Sequence, residues 1–212
     1  MKNKLLLSVL VLLAIAIPVY AVATSIGYIG ASWNHDPVTV YVSMGKGVDT
    51  SYASEVQTAL NDWSSALRTE TGSSNFAFEI LATPPGKRNP ADISINLKKN
   101  TGAVLGSTSL SSSGGNLSIT KITIATQNAM GKPLDKADFR NILRHELGHA
   151  LGLGHANDDA TGDKDLMYPY YDFITVGYDV FPSILDNNAL VNIYGTDGFG
   201  GTNLHPIPSK YP

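Results

Sequence analysis

The chain reads as an α/β domain built on a mixed sheet. Three observations predict it. Short alternating runs rich in β-branched residues recur along the chain. One helical period lies early among them, and two helical periods come late.

The elements follow in order. Val38 to Val42 is β-branched and alternating, hence a strand. Thr50 or Ser51 is placed to cap a helix through Leu67, because Val56, Leu60, Trp63 and Leu67 recur at helical spacing. Phe76–Ile80 and Asp92–Leu97 are further strands, separated by the turn Thr83-Pro84-Pro85-Gly86. Val104–Ser109 gives a fainter strand signal, and Ser111 to Gly115 reads by composition as a flexible loop. Leu117–Ala125 alternates and then turns apolar, which suits a strand near the sheet centre. Asp135–Ala150 gives the strongest helical signal, with Phe139, Ile142, Leu143, Leu147 and Ala150 marking one face. A last helix runs roughly from Ser183 to Tyr194 and stops at Gly195. From Thr196 onward the chain is rich in Gly and Pro and is expected to be coil.

The first stretch has the pattern of an export signal. Lys2 and Lys4 precede the apolar run Leu5–Ile17, Pro18 ends it, and Ala21-Val22-Ala23 is a small-x-small cleavage site. Leu5–Ala23 also approaches the roughly 20 residues that span a bilayer, so the segment fits an uncleaved membrane anchor as well. The rest of the chain is expected outside the cytoplasm, secreted or anchored at the cell surface, and it meets a membrane only through that segment. The expected organisation is a signal or anchor at 1–23, one domain at 24–195 and a tail at 196–212.

Composition narrows the chemistry. The 212 residues include no cysteine, 15 Lys+Arg and 18 Asp+Glu. The absence of cysteine excludes disulfides, thiolate zinc ligands, iron–sulfur clusters and cysteine nucleophiles together. A net charge of −3 without a long basic run argues against nucleic-acid binding. Chemistry therefore falls to His, carboxylates, hydroxyls or a metal held by nitrogen and oxygen.

Three of the five histidines fall within one stretch, His145-Glu146-Leu147-Gly148-His149-Ala150-Leu151-Gly152-Leu153-Gly154-His155. Its pattern is H-E-x-x-H-x-x-G-x-x-H. His145 and His149 stand one helical turn apart, so both imidazoles can reach one metal ion. Glu146 lies about 100° round the helix and is suited to a water on that metal rather than to the metal itself. Gly152 can adopt the positive φ that breaks the helix and returns His155 as a third ligand. Three neutral imidazoles with one open position make a catalytic zinc pattern, with Glu146 as general base.

At these residues the sequence resembles the metzincin metallopeptidases, most closely the matrixins. Asp165-Leu166-Met167-Tyr168-Pro169-Tyr170-Tyr171 supports the resemblance. It is similar to the family's Met-turn, which implies Met167 as a hydrophobic floor beneath the ligands. The same resemblance implies that Pro169, Tyr170 and Tyr171 line the pocket for the residue after the scissile bond. It further implies a zincin-like α/β (α+β) fold: a twisted five-stranded, mostly parallel sheet with an antiparallel edge strand, a backing helix, an active-site helix and a C-terminal helix. Val104–Ser109 would be the edge strand, lying antiparallel to bound substrate, and Asp186 the acid that braces the Met-turn. One catalytic Zn2+ and an extended polypeptide substrate are implied, and a monomer is expected.

Departures from the family pattern also carry information. Residue 156 is Ala where matrixins usually carry Ser, and Pro169 stands where a tyrosine fifth ligand occurs in other metzincins. No histidine lies between His35 and His145, so a second, structural zinc has no imidazoles there. A cysteine-switch latency device has no cysteine to use. Asn157, Asp158, Asp159, Asp163 and Asp165 could bind Ca2+, but no specific motif supports it, and a solvated loop is the expectation. Asn116 sits in an Asn-x-Ser sequence open to glycosylation. His35 and His205 have no partner by spacing and read as surface residues. The expected function is zinc-dependent endopeptidase. The alternatives are a catalytically silent zinc-bearing binding module, for which Glu146 would serve no purpose, and an exopeptidase using the same centre.

Overall fold

The computed structural model describes residues 25–156, 165–169 and 177–200. The expected signal at 1–23, the acidic run 157–164, Tyr170, Tyr171 and His205 lie outside the described residues. Ten elements are present: β1 (Ile26–Tyr28), β2 (Val38–Met44), α1 (Tyr52–Thr71), β3 (Phe78–Ile80), β4 (Ile93–Lys98), β5 (Gly106–Ser113), β6 (Asn116–Ala125), α2 (Lys136–Ala150), β7 (Leu153–Ala156) and α3 (Ile184–Tyr194).

Five strands form one sheet in the order β3-β2-β4-β6-β5. Every neighbouring pair is parallel except β5 and β6, which are antiparallel. The expected five-stranded, mostly parallel sheet with an antiparallel edge strand is thus present. The pleat explains the register. Val40 stands beside Ile93, Ile95 beside Ile122, and Leu97 beside Ile124, and all six side chains are buried. Their alternation places one apolar row on one sheet face. Val56, Leu60, Trp63 and Leu67 of α1 are buried, as are Phe139, Ile142, Leu143, Leu147 and Ala150 of α2. Each such burial contributes about 1.5–3 kcal/mol. Trp63 fixes the two helices to each other, its Nε1 donating to the Arg144 carbonyl at 3.0 Å.

The edge strand differs from expectation. It begins at Gly106 rather than Val104 and runs through Ser111, Ser112 and Ser113, residues that composition assigns to a loop. Gly114 and Gly115 then turn the chain at φ 58° and 81° into β6. Two consecutive residues at positive φ make the tight turn that suits a hairpin. A serine-rich edge strand buries little, so it carries no apolar signature to distinguish it from a loop.

A second small sheet is absent from the sequence reading. β1 pairs antiparallel with β7, with Ile26 opposite Ala156 and Tyr28 opposite Leu153. Gly152 turns the chain between α2 and β7 at φ 104°, and the Ala31 carbonyl packs where a Cβ would sit. His35 is exposed, as expected, but it has a partner, Asp92, whose Oδ2 lies 3.0 Å from its Nε2. Asp92 is held there by the backbone N–H and hydroxyl of Thr39. This pair is 57 positions apart in the chain, beyond any spacing argument.

Candidate metal centre and cleft

Helix α2 starts on Asp135, whose side chain accepts from the Ala137 N–H at 2.8 Å. From that start the 3.6-residue period brings His145 and His149 to one side. β7 returns His155 to the same place. The three rings converge, with centroids 4.7 Å apart for His145 and His149, 4.8 Å for His149 and His155, and 5.4 Å for His145 and His155. One ligand atom from each lies within 4.8 Å of the others.

The chemistry of these donors fits a zinc ion. Each of the two helical imidazoles lies against a carbonyl, His145 Nδ1 2.7 Å from Leu166 O and His149 Nδ1 2.9 Å from Leu153 O. Each Nδ1–H donates there, which leaves the Nε2 lone pair for a metal. Burial lowers the His145 pKa to about 4, with the charge of His155 adding to it. Burial and the neighbouring His145 lower that of His149 to about 3. Both rings are therefore neutral at pH 7, as metal ligation requires.

Met167 packs against α2 between the two helical histidines. It is fully buried, and its Sδ occupies the space a Cβ at position 148 would need. Gly148, between the two helical histidines, is thus a requirement of close approach. The Met167 carbonyl accepts from the Ala156 N–H at 2.8 Å, which ties the turn at 165–168 to β7. Asp165 caps that turn by accepting from the Met167 N–H at 3.0 Å. Ser183 connects it to α3, its Oγ donating to Asp165 and its N–H to Asp186, both at 2.8 Å. Asp186 thus reaches the turn through Ser183. Burial, with Asp165 beside it, pushes its carboxyl well above the usual range.

Glu146 points away from the imidazole stack towards the edge strand. Thr108 Oγ1 donates to its Oε2 at 2.6 Å. Burial raises its pKa to about 7 against the lowering effect of that hydrogen bond. The carboxylate borders a cavity of about 150 Å3 between Leu105 and Gly106, the α2 residues Ile142 and His145, and Tyr168 and Pro169. Gly106 has no room for a side chain, since a Cβ there would lie 2.6 Å from Glu146 Oε1. Thr108 and Gly106 escaped sequence reading. They face Glu146 from 38 and 40 positions away, and neither residue type carries a signal of its own.

The other side of α2 is built differently. Arg140 forks onto Asp179 with two bonds of 2.7 Å and reaches Glu55 at 2.5 Å. Arg144, 1% exposed, bonds Asp62, Asp179 and Asn141. Asn141 also accepts from the Val180 N–H and donates to the Tyr178 carbonyl. Two arginines and one amide thus join α1, α2 and the chain leading to α3.

Residues 32–195 match the family model described as matrixin, Peptidase_M10. Over 71 residues the chain is 35% identical to stromelysin-2 of Rattus norvegicus. That stretch is 34% of this chain and 14% of the relative's length.

Proposed function

The chain belongs to the matrixin family of zinc metallopeptidases, and on that premise we propose that it is an exported endopeptidase that cuts extended polypeptides with Glu146 as general base. The observation that carries the reading is the convergence of three imidazoles, with burial holding His145 and His149 neutral, beside a carboxyl raised to about 7 that borders one cavity together with His145. A zinc ion held by His145, His149 and His155 would supply a Lewis acid and a water acidified towards neutrality.

The protein's own residues supply the rest. Glu146 takes the proton of the attacking water and delivers it to the leaving amine, a transfer for which a pKa close to the working pH is best suited. Thr108 holds the carboxylate in place. The outer edge of β5 offers backbone N–H and C=O groups to a peptide adding as an antiparallel strand. Its serines leave that edge unobstructed by bulky side chains. The cavity beside Glu146 receives the side chain after the scissile bond, with Tyr168 and Pro169 in its wall and Met167 supporting the ligands from below. The segment 1–23 directs export. No helix among the described residues is long and apolar enough to cross a membrane.

The test is to incubate the zinc-loaded domain and its Glu146→Gln variant with a denatured protein and sequence the fragments. Internal cuts by the wild type are expected, with a loss of about 10²–10⁴-fold in the variant at unchanged zinc content. Terminal trimming instead would make it an exopeptidase. Absence of cleavage by the wild type would make it a binding module.

A further inference from the structure

A second depression continues the cleft along α2. It has a volume of about 850 Å3 and lies between the run-in to β5, the loop 128–135 and the first turn of α2. Leu105 borders both it and the smaller cavity beside Glu146, so the two lie side by side. Its walls are apolar: Leu105, Met130, Pro133 and Leu134. Met130 is 87% exposed, and the nearby Val104 62%. The wall formed by α2 ends on Asp138. This residue is 8% exposed, and its Oδ1 has no hydrogen-bond partner.

We propose that this trench is an additional substrate subsite, which takes a lysine or arginine side chain of the peptide at the third or fourth residue after the scissile bond and seats its cation against Asp138. The inference rests on the endopeptidase reading. A long basic side chain matches the trench in both parts, with an apolar stem to lie along Leu105 and Leu134 and a charged tip to meet the buried carboxylate. Asp138 forms no ion pair among the described residues; a buried carboxylate without a counter-charge is costly, and a cation relieves that cost. Burial, with Asp135 nearby, already raises the Asp138 pKa, while the N–H of Gly177 opposes the rise. Lys132 and Asp135 stand exposed on the rim with opposite charges, so among the described residues lining the trench the buried charge is that of Asp138.

Position follows from helix geometry. Asp138 precedes Glu146 by eight residues on α2, about 12 Å at 1.5 Å per residue. An extended peptide covers that distance in three or four residues at about 3.3 Å each. Asp138, Ile142 and Glu146 are spaced four residues apart and so share one side of the helix. The trench lies towards the start of β5. A peptide antiparallel to that strand runs in this direction after its scissile bond.

The test uses the full-length mature protein and a peptide series with a single cleavable bond. Lysine is moved through the five positions after the bond, each peptide paired with its norleucine counterpart, which keeps the stem and removes the charge. Lysine at the third or fourth position should raise kcat/KM about tenfold over norleucine, chiefly through KM. In Asp138→Asn that ratio should fall to about one, with bound zinc unchanged. Calorimetry with Glu146→Gln protein gives a readout independent of turnover. It should bind the lysine peptide about tenfold more tightly, and lose the difference when Asp138→Asn is added. Cleavage with a ratio near one at every position overturns the subsite and leaves the peptidase reading standing. A lysine preference in binding without any cleavage by the wild type supports the subsite and overturns the peptidase reading. Neither cleavage nor binding overturns both.

Discussion

The two sides of helix α2 take opposite routes out of the same difficulty. Both hold ionisable side chains away from water. On the cleft side, no ion pair among the described residues holds His145, Glu146 or His149, and burial moves each towards its neutral form. On the far side, Arg140 and Arg144 meet Asp179, Asp62 and Glu55, and the charges persist as ion pairs. Desolvation without a partner prepares groups to bind a metal or move a proton. Desolvation with a partner makes a brace, which holds α1 and the run-in to α3 against the helix that carries the ligands.

Four experiments break or sharpen this contrast. The largest effect is expected on the cleft side. His149→Ala removes one of three ligands, so zinc binding and peptide cleavage should be lost together, as read by metal analysis and a cleavage assay. Retention of stoichiometric zinc would show that the three-imidazole centre is wrongly drawn. On the brace side, Arg144→Met leaves Asp62 and Asp179 without their shared partner and should destabilise the fold by about 3 kcal/mol. Urea denaturation of the zinc-loaded protein measures it, and a shift within error would mean that the network is neutral.

Acid should separate the two sides in zinc-free protein. The unfolded histidines take up protons near pH 6.5, whereas the folded ones resist until about pH 4 and about pH 3. Their contribution is present above pH 6.5 and lost as pH falls through that window. Asp179 is held at about 2, first by the hydrogen bond from Arg140 and then by Arg144. Its contribution is present above the unfolded value of about 3.9 and is lost between there and pH 2. Urea midpoints measured at pH 7, 5, 4 and 3 should therefore fall in two stages. Asp179→Asn should blunt only the lower one, and an unaltered lower stage would count against the brace. The smallest effect is expected at Thr108. Its hydroxyl lowers the Glu146 pKa, so Thr108→Val should move the acid limb of the kcat/KM profile to higher pH, with cleavage retained. A limb that stays in place would mean that Thr108 only fills space.

Legibility in the sequence divides along the same line. His145, Glu146 and His149 lie within one helical turn, and Gly152 and His155 follow closely. Local geometry alone predicts their convergence, and the rings stand as that geometry requires. The apolar positions of α1 and α2 and the ends of α3 were legible for the same reason. Ser111 to Ser113 were not, because an edge strand gains its order from hydrogen bonds to β6 rather than from its own side chains. The partners of His35 and Glu146 and the acids that pair with Arg144 were not legible either, since each lies dozens of positions away.

The sequence by itself determined the fold class, the three histidines that converge and the acid beside them. Those features rest on periods of 2 and 3.6 residues, which act over a few positions and need no knowledge of the rest of the chain. Only the tertiary structure decided which buried charges are paired and which are left to shift. It set Thr108 and Gly106 against Glu146, ran β1 along β7, and left Asp138 on the wall of an apolar trench, with one buried oxygen unbonded among the described residues. Burial and pairing are properties of the assembled surroundings, and the same aspartate or arginine takes either fate according to what the fold brings within reach.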